Sequence, residues 1–140
     1  MRGPATQNAG WALIAVTLLA MLDSVTSRTL AAAGRPSLNA YFQSTLADEA
    51  YQKKTFDRVA KAWKTPPAKA TPKAGAKTVV QAVIAKDGKL ASSTVSMSSG
   101  SKSWDAAALA AVKSAAPFDP LPASYKYPSL EVHFHVTVVP

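Results

Sequence analysis

The chain has 140 residues, no cysteine and a formal net charge of +8. That length suits one domain with some additional chain, and the lack of cysteine excludes both a disulfide framework and a thiolate metal site. The charge is local: between Lys53 and Lys77 eight Lys/Arg stand against Asp57 alone, whereas from Thr78 onward five lysines face four acids.

In chain order, residues 1–33 read as an export signal. Arg2 gives a positive start, the run from Trp11 to Leu22 is apolar, and Ala31-Ala32-Ala33 before Gly34 forms a small-residue cleavage site. The apolar run is signal-peptide length and short of a membrane span. Cleavage after Ala33 would leave a free periplasmic protein; retention would leave a short N-terminal anchor. Residues 34–63 read as helical. Ser37 is a good N-cap and no Pro or Gly follows until Pro66. Leu38, Tyr41, Phe42 and Thr45 share one helical face, as do Phe56, Val59, Ala60 and Trp63, with Glu49 and Gln52 on the stripe between them. The spacing predicts one long helix with an exposed middle, or two helices with a break near 47–50. Residues 64–77, rich in Pro, Lys and Ala, read as an extended linker.

The next segment, "TVVQAVIAKDGKLASSTVSM", predicts a strand, a type I′ turn at Asp87-Gly88 and a more polar return strand ending at Met97. Ser98-Ser99-Gly100 ends that strand, and Ser101 or Ser103 caps a helix running to about Ala115. Trp104, Ala108, Leu109, Val112 and Ala116 lie on one arc of this helix, and Pro117 stops it. Leu130 to Val139 alternates strictly, with Glu131, His133, His135 and Thr137 on the outward side. The expected fold is α+β in the order α-β-β-α-β. A three-stranded antiparallel sheet of order 2-1-3, covered by helices, fills residues 78–140, with the last strand at an open edge.

Little here can do chemistry. His133, His135 and Glu131 share a strand face, but the sequence supplies no fourth ligand, so they read as the solvent side of an edge strand and not a metal site. Asp105 suits the positive start of a helix, and Asp119 sits between two prolines. The serines lack any motif tying them to a histidine. The basic residues Lys53, Lys54, Arg58, Lys61 and Lys64 read as a solvated helix face, with Phe56 and Trp63 as core positions. Export argues against a nucleic-acid partner. No enzyme activity and no cofactor are expected.

The ordered set "VVQAVIAKDGKL", "SSG", "WDAAALAAVKSAAPFDPLP" and a final alternating strand resembles the C-terminal domain of the TonB/TolA family. Upstream, "YQKKTFDRVAKAWKTPP" is similar to the helix ending in Trp-x-x-Pro that precedes the sheet in TolA-like members, so the resemblance covers roughly 51–139. It implies a non-enzymatic protein-binding module in the cell envelope. A segment of a periplasmic or outer-membrane protein would add a strand to the edge formed by Glu131, His133, His135, Val136, Thr137 and Val138. Phe118 and Leu121 would fold back on the sheet. The family's energy transducers carry a retained anchor helix, with a histidine in TonB, and a long spacer. "GWALIAVTLLAML" has no histidine and 64–77 is short, which points to a stand-alone exported member. The alternatives are a membrane-anchored structural subunit of an envelope complex, or a basic protein binding anionic lipid or cell-wall polymer. Self-association through the same edge is a further expectation.

Overall fold

Alternation, and not helical spacing, governs the chain after Gly34. Pro36, Leu38, Ala40 and Phe42 recur at every second position, and all four are buried. In the computed structural model, which describes residues 11–19, 34–43 and 45–140, this stretch is a strand. The described elements are β1 (Trp11–Leu19), β2 (Arg35–Gln43), α1 (Glu49–Ala62), a 3₁₀ turn (Ala68–Ala70), β3 (Lys77–Ala85), β4 (Leu90–Met97), α2 (Lys102–Ala115) and β5 (Ser129–Val139).

The sheet order is β1-β2-β5-β3-β4, with every pair antiparallel. Without β1 it is a four-stranded sheet, and this corrects the expected three strands of order 2-1-3. The helix expected to start at Ser37 is instead β2, and β2 covers the side of β5 that was expected to lie open. The reason is physical. Leu38, Tyr41 and Phe42 satisfy a helical stripe as well as a strand, but β5 offers a row of unpaired backbone groups that only a strand can fill. Tyr and Phe favour that outcome. Arg35 to Phe42 pairs without interruption against Val139 to Val132.

After β2 the chain turns through buried Leu46, and Asp48 caps α1 by accepting a hydrogen bond from the Tyr51 N–H at 2.9 Å. Neither one long helix nor two helices broken near 47–50 fills this segment: a strand is followed by a helix that starts at Glu49. α1 packs on α2, which lies on the sheet through Trp104, Ala108, Ala111, Val112 and Ala115. Alanine at these positions lets the helix approach closely, and Trp104 supplies the bulk. Its ring meets Trp63 edge-on at 5.1 Å.

The Asp87-Gly88 hairpin is not type I′, which needs positive φ at both central residues. Only Gly88 has it, at +94°, and the bonds Gly88 N–H to Ala85 C=O and Ala85 N–H to Lys89 C=O describe a three-residue loop closed by a glycine bulge. The segment after α2 locks onto this loop: the Phe118 N–H donates to the Gly88 carbonyl at 2.8 Å and the Leu121 N–H to the Lys86 carbonyl at 2.9 Å. Phe118 and Leu121 are buried. Residues 64–77 run along the domain, held where the Ser101 hydroxyl donates to the Ala70 carbonyl and the Gly75 N–H donates to the Val138 carbonyl. Of the expected leader, Trp11–Leu19 is β1, while Arg2 and the Ala31–Ala33 motif lie outside the described residues. Among the described residues no helix is long and apolar enough to cross a membrane.

Candidate functional site

Consecutive residues of an antiparallel strand point their backbone groups to opposite neighbours. The Val138 N–H donates to the Ala76 carbonyl just before β3, so Val138, Val136, Phe134 and Val132 bond toward β3. Thr137, His135, His133 and Glu131 bond toward β2, in line with the Glu131 N–H donating to the Gln43 side chain at 2.8 Å. Register then places the backbone groups of Arg35, Ser37, Asn39 and Tyr41 toward β5. Those of Pro36, Leu38, Ala40 and Phe42 point away, to the outer edge of β2. Pro36 fits this assignment, because its missing N–H falls on the outer side and leaves the β5 ladder whole.

Glu131, His133, His135, Val136, Thr137 and Val138 therefore lie on an interior strand, paired on both sides. In the described sheet β1 pairs with the outer side of β2; among the strands after Gly34 the outermost on this side is β2, which sequence reasoning missed although the alternation Pro36, Leu38, Ala40, Phe42 signals it. A proline at Val136 removes a donor aimed at β3, so Val136→Pro is expected to cost about 3 kcal/mol or more and to melt the domain. Urea denaturation checks this, and a variant as stable as the parent would contradict the strand assignment.

The opposite edge, β4, is built differently. Its pairing with β3 shifts between Val79 and Val80 and again between Val83 and Ile84, and half of its residues, Ala91, Ser92, Thr94 and Ser96, are exposed and small or polar. Two irregularities and a polar surface are devices that blunt an edge. β2 meets β5 in an unbroken register, so of the two it offers the straighter template.

The sheet face away from the helices carries Tyr41, Gln81, Glu131, His133 and His135. The Gln81 amide donates to Glu131, the His133 Nε2 lies 3.8 Å from the Glu131 carboxylate, and the Tyr41 and His135 rings stand 4.5 Å apart. Among the described residues no cluster of His, Cys, Asp and Glu could hold a metal. Burial, with the charges of Lys77 and His133 adding to it, pushes His135 down to about 4 from 6.5. The unfolded chain takes up that proton first as pH falls. Stability from neutral His135 is thus complete above about pH 6.5 and is lost as pH drops toward the folded value. Melting temperature is expected to decline over that window, and His135→Gln to flatten the decline. An unchanged slope in the variant would place the acid sensitivity elsewhere.

The basic residues are partly committed inside the fold. Lys54 and Arg58 pair with Asp119 at 3.0 and 3.2 Å, and Arg58 also donates to the Pro117 carbonyl at 2.7 Å. The Lys54 hydrogen bond and the two cations hold the Asp119 carboxyl below its usual range. Tyr51 donates to the Asp119 carbonyl at 2.9 Å, and burial raises its phenol to about 12. α1 and the Pro-Phe-Asp-Pro segment are thereby clamped together. Lys53 pairs with Asp57 at 2.9 Å, and Lys61 and Lys64 are exposed.

Asp105 is a second clamp. It accepts from the Thr78 hydroxyl at 2.6 Å, from the Ser98 hydroxyl, and from the Ser99 N–H and hydroxyl at 2.9 and 2.8 Å. Burial opposes its ionisation, but these donors outweigh it and lower its pKa. The Ser-Ser-Gly turn, the start of α2 and the start of β3 thus meet on one carboxylate. Its role is structural.

Residues 48–136 match the family model described as TonB C terminal. No curated protein matches the sequence. Among solved structures, the chain is similar to the solution NMR structure of TolAIII bound to a peptide derived from the N-terminus of TolB, at 26% identity and a TM-score of 0.44. That similarity covers 59% of this chain and 61% of the other. β2 and β1 lie before the matched segment.

Proposed function

The chain belongs to the TonB C-terminal family, and from that membership together with the geometry of β2 we propose that it is a non-enzymatic periplasmic module that binds a protein segment by strand addition. The segment comes from a periplasmic or outer-membrane protein and lies antiparallel to β2, on the side facing away from β5. The observation that carries this reading is the outer side of β2, which in the described sheet already accepts a strand, β1, in antiparallel pairing. Leu38, Ala40 and Phe42 each aim a donor and an acceptor outward from a strand that is fixed on its inner side by eight paired positions. Such an edge gives affinity through main-chain hydrogen bonds, while side chains of the added strand give selectivity. The export signal expected at residues 1–33 delivers the chain to the envelope, and cleavage there leaves β2 as the terminal strand.

Peptides selected on the immobilised protein test this reading by N-methyl scanning. Methylating the residues whose N–H faces β2 is expected to abolish binding, and methylating the intervening residues to leave it intact. Binding that ignores the methylation pattern would overturn strand addition. A concentration-dependent dimer that excludes the peptide would make a second copy of the chain the occupant instead.

A further inference from the structure

We propose that Trp11–Leu19 is a tethered stand-in for the partner strand, so that the β2 edge is closed while the leader remains attached and opens when it is removed. The proposal rests on the strand-addition reading above and gives the expected leader a task besides export.

The first observation that carries it is the position of β1. Ala12, Ile14 and Leu18 stand opposite Phe42, Ala40 and Leu38. Those are the three residues whose outward N–H groups make up the edge, so β1 takes the bonds that a partner strand would take. The second is the unequal quality of the two ladders on β2. Its register with β5 is unbroken, whereas its register with β1 shifts between Ile14 and Leu18. Pairing is lost at such an irregularity, which makes β1 the neighbour that yields. β1 also packs against α1, so it is seated on the domain and not merely adjacent to it.

Closure suits the chain while the leader is attached. An open, regular edge pairs readily with other chains, and a leader that fills it protects the folded domain for as long as it stays attached. Opening needs only hydrolysis of the Ala33–Gly34 bond by an endopeptidase, with water completing the new carboxyl and amino ends. β1 then leaves as a separate peptide, and its binding to β2 becomes bimolecular and weak at low concentration.

Amide hydrogen exchange on the full chain decides the matter. In the unaltered chain the amides of Leu38, Ala40 and Phe42 are expected to be protected. In the variant carrying Ile14→Pro and Leu18→Pro, which loses two donors facing β2, they are expected to lose protection while Asn39 and Tyr41 keep theirs. Leu13→Pro, whose N–H faces away from β2, serves as the control and should behave as the parent. Fast exchange at Leu38, Ala40 and Phe42 in the unaltered chain overturns the proposal without recourse to any variant. A labelled peptide of the β1 sequence, made soluble with terminal lysines, is expected to bind the double variant about tenfold more tightly than the parent, because the open state is no longer occupied. Loss of protection in the double variant with no peptide binding would leave the closure standing and sink the strand-addition reading.

Discussion

Gly88→Ala is expected to destabilise the domain by about 4 kcal/mol, the combined cost of a backbone clash and a positive φ. A Cβ at this position would lie 2.1 Å from the Phe118 carbonyl oxygen, and Gly88 already sits at φ +94°. The obstacle is backbone, so no rotamer change relieves it. Moving Phe118 away would break the hydrogen bonds that tie residues 118–121 to the hairpin and would shift the Asp119 clamp on Lys54 and Arg58. Gly100 provides the comparison, having the same φ of +94° with nothing within 4 Å of an added Cβ. Gly100→Ala should therefore cost only the conformational strain, about 1–2 kcal/mol. Urea titration of both variants separates steric from conformational cost, and equal losses would contradict the docking of the hairpin under Phe118.

Trp104→Ala is expected to cost about 4 kcal/mol, the range for deleting a large buried aromatic side chain. Trp104 is 0% exposed and bridges the Trp63 ring to the sheet. Its neighbours on α2 are mostly alanines, which have no side chain long enough to refill the space. Trp104→Phe should be far milder. It keeps most of the ring, and it removes an indole N–H that has no hydrogen-bond acceptor among the described residues. Thermal melting of the pair checks both values, and a Phe variant as damaged as the Ala variant would show that the indole nitrogen has a partner after all.

The elements around these two sites, β3, β4, α2 and β5, are legible in the sequence, whereas the turn type at Gly88 and the interior place of β5 are not, and the contrast with β2 explains the difference. From Lys77 to Val139 each local signal agrees with its surroundings. Alternation in β3 and β5, a glycine at the loop, Ser101 at the N-cap and Pro117 beyond the helix end all point to one arrangement. The ordered motifs added the family. At 35–43 the local signals divide. Leu38, Tyr41 and Phe42 satisfy two periodicities, and no residue within the segment decides between them. The decision comes from β5, nearly a hundred residues away in sequence, whose outer backbone groups need a partner.

That error propagated. Reading β2 as helix leaves β5 at an edge and puts the residues from Glu131 to Val138 where a partner could reach them, whereas β5 is paired on both sides. Pro36 was the overlooked clue. A proline two residues ahead of an apolar alternation is an edge-strand mark. The two clamps were unreadable for a different reason. Asp105 and Asp119 draw their partners from Thr78, Lys54 and Arg58, which only the folded chain brings near. Asp105 was correctly placed at a helix start, but its hydrogen bonds across to β3 were not legible.

Binding of a partner segment along the outer side of β2 is tested most directly by photo-crosslinking in the native setting. A photo-crosslinking amino acid is placed at Asn39, which is half-buried on β2, or at exposed Thr94 on β4. Each form is irradiated in the cell envelope and the adducts are sequenced. Asn39 is expected to yield one contiguous segment of an envelope protein, with apolar residues at alternate positions, and Thr94 to yield none. Adducts from Thr94 in place of Asn39, or lipid and cell-wall adducts at both, would contradict binding at β2.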